Sequence, residues 1–433
     1  MRPTLVAGAR VLGRVRGGLA HPAAAVVRGS LVAQLALLVS GPVVLRLLGV
    51  TDRGELALVW AVVLLACQVG VLGLPAAVTW YVARRGLRPA DLLTRLQARF
   101  AGQVAAVSAL TAAAVLGVNL LGPPLGRPWL LAGVAGLGAG AAMVALVGLA
   151  ALQGAQRYRL LAWLQPVPAV SYAVAVCLLA LAGVGSVPLL LALNLAGWGL
   201  VAVVSVAAAR RLPAAEPDGV LPDVAEVVAY GRRSLVATAA PIDTLGLEQI
   251  LLGLVAGHHA LGLFTVGWAF ETGPVVVLVA LAGYAGSRVS TLERPGPFVR
   301  RWLLRGLAVG VAACVAIELM LEPVLLWAFG QEAAPAVPLA RVLVVAGVVL
   351  GLRRLSAAIL VGLGKARAAS WCELAGLATM LAGMLMLLLP RWTIAAPGVV
   401  LLMAGAVALC GQLVVLGRAL SPAPGALEQR GEE

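Results

Sequence analysis

An all-α polytopic membrane protein, built from twelve transmembrane helices in two six-helix lobes, is the fold class this 433-residue chain predicts. Three observations carry that expectation. Hydrophobic residues make up 62% of the chain and charged residues 12%, and the mean hydropathy is +1.02; no soluble domain buries so large an apolar share. The apolar residues fall in twelve continuous runs, each long enough to cross a hydrocarbon layer of about 30 Å at roughly 1.5 Å per residue. Continuous runs, rather than short alternating segments, exclude a transmembrane β-barrel. Finally, the chain matches itself at an offset of 208 residues. Gly49, Gly54, Trp60 and Ala61 fall on Gly257, Gly262, Trp268 and Ala269, and Gly122 falls on Gly330. Gly154, Arg157, Arg159 and Trp163 fall on Gly362, Lys365, Arg367 and Trp371, and Arg210 on Arg418.

The first copy holds spans near 23–48, 56–83, 98–121, 129–153, 158–183 and 186–209. The first follows a basic N-tail, and at about 25 residues it exceeds the hydrophobic region of a signal peptide, so it is expected to remain as a helix. Between the second and third, residues 84–97 read as a short amphipathic surface helix, with Pro89 and Asp91 at its start. The run Gly136-Leu137-Gly138-Ala139-Gly140 resembles a fragment of a phosphate loop. Inside the fourth span, with Gly133, Gly136 and Gly140 at small-residue spacing, it reads as a helix–helix contact.

Residues 210–231, with Pro213, Pro217, Asp218 and Pro222, form the expected cytoplasmic linker between a lobe of residues 1–209 and a lobe of residues 232–418. The second copy has spans near 232–256, 261–284, 300–327, 336–361, 368–390 and 394–417. In the seventh, Pro241 frees a backbone carbonyl and predicts a helix break beside Asp243. Residues 419–433 have the polar composition of a disordered cytoplasmic tail. Six spans per copy, an even number, give both copies the same orientation. The lobes are then expected to be related by a pseudo-twofold axis along the membrane normal, with a cavity between them.

The formal charge of +14 follows the topology. With the N-terminus in the cytoplasm, 27 of the 32 Lys and Arg lie on that side, and only Arg46, Arg53, Arg127, Arg341 and Arg391 lie outside. This bias predicts cytoplasmic N- and C-termini and no nucleic-acid partner. The five cysteines, Cys67, Cys177, Cys314, Cys372 and Cys410, sit in apolar runs without metal-ligand spacing and read as small buried hydrophobes. No Ser–His–Asp constellation, zinc spacing or phosphate-loop motif is present. His21 and the pair His258–His259 read as loop residues, and no cofactor is expected beyond a possible coupling H+ or Na+. No external loop has room for a folded domain.

Ionisable residues inside spans are the remaining signal, because each is costly in lipid and tends to face a cavity. Arg28 lies near the start of the first span, and Arg353 and Arg354 lie near the cytoplasmic end of the tenth. Arg46 and Arg341 lie toward the external side. One reading is a cationic cavity that grips a phosphate or pyrophosphate through bidentate hydrogen bonds; the other is snorkelling to the headgroups. The acidic set is Asp243 and Glu248 in the seventh span, Glu271 in the eighth, Glu318 and Glu322 in the ninth, and Glu373 in the eleventh. Such carboxylates can carry a proton or help hold Na+, or they can pair with a nearby Arg. Gln165 is the repeat equivalent of Glu373, and polar groups at matched points favour an inward-facing position for both.

Four segments resemble the polysaccharide or O-antigen flippase branch of the multidrug/oligosaccharidyl-lipid/polysaccharide exporter superfamily. Leu47 through Ala57 (LLGVTDRGELA) is similar to the turn after the family's first helix, continuing into Gly73-Leu74-Pro75 and Tyr81-Val82-Ala83-Arg84. Leu152 through Tyr158 (LQGAQRY) resembles the element between helices four and five. Glu248 through Gly253, followed by Leu261 through Phe264, stands where the family has a D(R/Q)LLLG…GLY pattern, with Glu248 for Asp and Phe264 for Tyr. Ala328-Phe329-Gly330, leading to Gly362 through Arg367, is the fourth. The resemblance implies transfer of an undecaprenyl-pyrophosphate-linked oligosaccharide from the inner to the outer leaflet of a bacterial plasma membrane, by alternating access and usually with cation coupling. It assigns a coupling role to no residue here. Membrane lipids and other polysaccharide-assembly proteins are the partners it implies.

Alternatives with the same fold are a multidrug exporter and a lipid II flippase, although the latter type has two further C-terminal helices. From a different class comes a polytopic glycan polymerase, ligase or glycosyltransferase, which needs a large external loop that this chain lacks.

Overall fold

The computed structural model describes residues 22–213, 221–239, 241–289, 292, 294–387 and 393–420. The basic N-tail before residue 22, the centre of the linker (214–220) and the tail from 421 lie outside the described residues. The chain runs through α1 (Pro22–Gly70), α2 (Leu74–Arg85), α3 (Pro89–Leu121), α4 (Pro128–Gly154), α5 (Tyr158–Leu164), α6 (Val167–Leu181) and α7 (Val187–Arg210). It continues through α8 (Val224–Ala239), α9 (Leu247–Val289), α10 (Gly296–Phe329), a 3-10 turn (Gln331–Ala336), α11 (Val337–Gly362), α12 (Ala366–Met386) and α13 (Ala396–Leu420). Among the described residues there is no strand, so the all-α expectation holds.

Ten segments are long and apolar enough to cross a membrane, and two of them, Leu31–Gly70 and Leu247–Gly286, run for 40 residues. A straight helix of that length would span about 60 Å, twice the hydrocarbon thickness. Each is divided by a glycine with extended, positive-φ backbone: Gly49 (φ 79, ψ 174) in α1 and Gly257 (φ 87, ψ 173) in α9. Only glycine enters that region without strain. At Gly49 the chain turns back on itself, because Arg53 donates a hydrogen bond to the Gly41 carbonyl twelve residues earlier. In a straight helix those positions would be about 18 Å apart, well beyond side-chain reach. Division at Gly49 gives two passes; division at Gly257 leaves residues 247–256, about 15 Å of helix, which completes the pass begun by α8 and brings the total to twelve. Gly49 and Gly257 are themselves related by the 208-residue offset.

The duplication extends to backbone hydrogen bonds. At the end of α4, Arg157 N–H donates to Leu152 O (2.9 Å) and Gln156 N–H to Gln153 O (3.0 Å). At the end of α11, Lys365 N–H donates to Leu360 O (2.8 Å) and Gly364 N–H to Val361 O (3.0 Å). Each pair is the 6→1 and 5→2 signature of a Schellman cap, with Gln156 (φ 56) and Gly364 (φ 74) in the left-handed position. Helix packing repeats as well. α4 packs on α7 and α3 in the first half; their counterparts α11 on α13 and α10 do the same in the second.

The chain divides into two compact units, residues 1–238 with 257–259, and residues 239–256 with 260–433. In the first, Gly136 and Gly140 of α4 serve helix contact: a Cβ at Gly136 would lie 2.7 Å from the Ser108 carbonyl, and one at Gly140 2.7 Å from the Ser108 hydroxyl, whereas one at Gly133 would meet nothing within 4 Å. Of the expected surface helix at 84–97, residues 84–85 close α2 and residues 89–97 are the first part of α3, which continues to Leu121. Pro89 and Asp91 do begin it, and its amphipathic start runs without a break into the third span. Also in this unit, Tyr81 donates to Glu226 at 2.8 Å and Arg85 pairs with the same carboxylate at 3.0 Å. Trp80 stacks on Tyr230 with ring centroids 5.0 Å apart. These contacts fix α8 against α2.

The seventh span is broken as Pro241 predicts. α8 ends at Ala239, residues 241–246 form an irregular turn, and helix resumes at Leu247. That turn places Asp243 in the interior.

Candidate functional site

A buried charge network occupies the second unit. α11 is apolar on nearly every side, and Arg353 and Arg354 lie about two turns before its C-terminal end. The Arg353 side chain is 0% exposed; its Nη2 donates to Asp243 Oδ1 at 2.7 Å and its Nη1 to Glu373 Oε2 on α12. Arg354 is 25% exposed, and reaches Asp243 Oδ2 from Nε at 3.0 Å and from Nη2 at 2.8 Å. Gln412, from α13, donates from Nε2 to Glu373 Oε1 at 2.9 Å. Four segments thus converge: the 241–246 turn, α11, α12 and α13. The sequence places them there because Pro241 opens the helix, so that Asp243 projects from a turn.

Small residues allow the convergence. Gly376 lies one turn after Glu373, and a Cβ there would meet Ile242 Cδ1 at 2.5 Å and Ala404 O at 2.7 Å. Gly347 on α11 lies beside Glu271 of α9, and its Cβ would come within 3.2 Å of Glu271 Cγ.

The two guanidinium groups balance Asp243 and Glu373. Two further carboxylates, Glu248 and Glu271, are buried in the same unit and exceed that balance. Glu271 lies within electrostatic reach of Asp243, Glu248, Arg354 and Arg353, and Glu248 within reach of Asp243. Each has one buried carboxylate oxygen, Oε2, without a hydrogen-bond partner, as do Arg353 Nε, Ser356 Oγ and Gln412 Oε1. A buried polar atom without a partner costs about 1–3 kcal/mol, so such a concentration is exceptional in a packed interior.

Of the residues singled out in the sequence, Arg353, Arg354, Asp243 and Glu373 are brought into direct contact, with Glu248 and Glu271 nearby. Arg341 is in an exposed pair with Glu322 at 3.0 Å on the surface of the second unit. Arg28, Arg46 and Gln165 are exposed residues of the first unit. Gln165 follows the last turn of α5, and its repeat equivalent Glu373 is buried. Gln412 and Ser356 join the network without having been anticipated. For Gln412 a signal existed, since it is the only amide, hydroxyl or charged side chain in the run 394–417. At the positions equivalent to Arg353, Asp243, Glu271 and Gln412, the first copy has Ala145, Leu35, Val63 and Val204. The network was built in one copy of the repeat.

A model of the polysaccharide biosynthesis protein family matches residues 22–285, well over half of the chain. The chain belongs to the polysaccharide biosynthesis protein family. Among curated proteins no sequence matches it. Solved structures with the same fold include a multidrug resistance MATE family transporter of the MOP superfamily. Its outward-facing form matches at TM-score 0.65 and 15% identity, over 93% of this chain and 95% of that one. Its inward-facing form matches at TM-score 0.64 and 15% identity, over 91% and 98%. A MOP superfamily transporter from Pyrococcus furiosus matches at TM-score 0.61 and 15% identity, over 92% and 94%. This member of the polysaccharide biosynthesis protein family therefore has the fold of MOP superfamily transporters and is a multi-pass membrane protein.

Proposed function

We propose that this protein carries a lipid-linked oligosaccharide, held as its undecaprenyl pyrophosphate, from the inner to the outer leaflet of a bacterial plasma membrane, driven by movement of a cation. The observation that carries the reading is the combination of a polysaccharide biosynthesis family match with a transporter fold. The buried network of the second unit supports the coupling. Ion-paired charges fix Asp243, Arg353, Arg354 and Glu373 in place, while Glu248 and Glu271 provide carboxylates in excess of the local cations. Among the described residues, no three acidic, His or Cys side chains converge closely enough to hold a metal ion.

In this reading, Arg354 is the guanidinium of the network with an exposed edge, and Arg28, Arg46, Arg341 and Gln165 are further candidate contacts for anionic or sugar moieties. On the same reading both termini are cytoplasmic, and the positive charge bias supports that orientation.

The test is leaflet transfer of a fluorescent undecaprenyl-pyrophosphate oligosaccharide by protein reconstituted in liposomes, with and without an imposed pH gradient. Transfer should accelerate with the gradient. Glu248→Gln and Glu271→Gln should each flatten that dependence while retaining transfer at zero gradient. Transfer of cationic drugs in place of the lipid-linked sugar would replace this reading with a multidrug exporter. Unchanged gradient dependence in both variants would move the coupling site elsewhere.

A further inference from the structure

The cytoplasmic-type, Arg-rich end of α10 carries a feature that transport does not use. An open groove of about 680 Å³ is lined by Pro297, Arg300, Arg301, Leu304, Arg305 and Ala308, with Gly296 at its end. Their spacing, at i, i+3, i+4, i+7, i+8 and i+11, puts them on one face of the helix. Arg300, Arg301 and Arg305 are exposed. Among the described residues none of the three forms an ion pair with a carboxylate; Arg305 lies over the Trp302 ring at 5.6 Å. Arg301 and Arg305 are one turn apart, so their like charges repel, and a shared anion relieves that repulsion.

Depth along the helix identifies the anion. Trp302 packs against Tyr284 and Phe298, with ring centroids 5.1 and 5.7 Å away, and exposed Trp327 marks the other end of the same helix. Twenty-five residues separate the two tryptophans, about 37 Å of helix, which matches the distance between the interfacial layers of a bilayer. The three guanidinium groups therefore lie at the level of lipid headgroups. Below them the same face continues as exposed Leu304, Val311, Val315 and Leu319. That is a strip on which an acyl chain can lie.

We propose that this groove is a binding site for an anionic phospholipid, whose phosphodiester is held by Arg300, Arg301 and Arg305 and whose acyl chain follows the apolar strip. A guanidinium trio with no carboxylate partner among the described residues fits the negative headgroup, and the strip adds an apolar contact that a lipid makes and a free phosphate does not. With the orientation given above, the lipid belongs to the cytoplasmic leaflet.

The test is native mass spectrometry on the delipidated full chain in detergent, titrated with phosphatidylglycerol, phosphatidylcholine, inorganic phosphate or undecaprenyl pyrophosphate. Phosphatidylglycerol adducts should persist where phosphatidylcholine and phosphate adducts do not. The combined Arg300→Gln, Arg301→Gln and Arg305→Gln variant should lose about tenfold in phosphatidylglycerol affinity, and the matching triple Lys variant should keep most of it. Equal retention of the two phospholipids, a Gln variant that binds like the wild type, or preferential filling of the groove by undecaprenyl pyrophosphate would each overturn the proposal. The lipid preference of the wild type needs no variant, so a Gln variant that fails to fold leaves that comparison to decide. Binding is read without transport, so this result and that of the leaflet-transfer assay stand separately.

Discussion

Moving a guanidinium into a low-dielectric interior costs several kcal/mol, and Arg353 is stabilised there by carboxylates on two sides. Arg353→Met would remove the cation and leave Asp243 and Glu373 buried with less compensation. We expect a loss of about 3–5 kcal/mol, read as a large fall in the thermal midpoint of the detergent-solubilised protein. Arg354→Met should cost less, because that side chain is a quarter exposed and Asp243 keeps its bond to Arg353. If the two substitutions destabilise equally, Arg353 is not the centre of the network. At this scale the sequence revealed which residues to watch. Charges within apolar runs are conspicuous, and Arg353, Asp243 and Glu373 were all identified in that way. Their partnership was not legible, since Asp243 and Arg353 are 110 positions apart and nothing local specifies the pairing.

Elements are governed by backbone geometry, and here the repeat makes predictions by comparing its own copies. A Cβ at Gly257 would touch only Pro123 Cγ, at 3.7 Å, and one at Gly49 would meet nothing within 4 Å. Any cost of Gly49→Ala or Gly257→Ala is therefore backbone strain, about 1–3 kcal/mol each. Thermal midpoints that do not move in either variant would show that these turns do not require the observed backbone. Gln156 occupies the left-handed position that its counterpart Gly364 fills in the second copy. Gln156→Gly should accordingly raise stability, by about 1 kcal/mol, through relief of the side chain's clash in that conformation. The seventh span shows how far periodicity reaches: hydropathy reads residues 232–256 as one helix, and Pro241 correctly marks where it breaks. That α8 is then held by Tyr81, Arg85 and Trp80 of α2 was beyond any local pattern.

For the whole molecule, the sequence expectation of twelve passes with arginine concentrated in the cytoplasm predicts Arg127 outside and Arg418 inside. In intact cells, with the native cysteines replaced, a membrane-impermeant maleimide should label Arg127→Cys and spare Arg418→Cys. Equal labelling of the two positions would refute the topology. The family match stops at residue 285, yet the buried network draws on Arg353, Glu373 and Gln412 beyond it. The two copies differ there: the polar positions Arg353, Asp243 and Gln412 correspond to Ala145, Leu35 and Val204 in the first.

By itself, the sequence determined that this chain lives in a membrane, how many times it crosses, where it was duplicated and which charges are out of place. Each of those is written in composition, in segment length against bilayer thickness, or in residues that match at one offset. Tertiary structure decided that Asp243, Arg353, Arg354, Glu373 and Gln412 meet, and that Glu248 and Glu271 are buried beyond the number of cations available to them. In lipid every helix face is apolar alike, so hydrophobicity does not say which faces touch. Close-packing glycines and buried ion pairs do, and their geometry exists only once the helices are assembled.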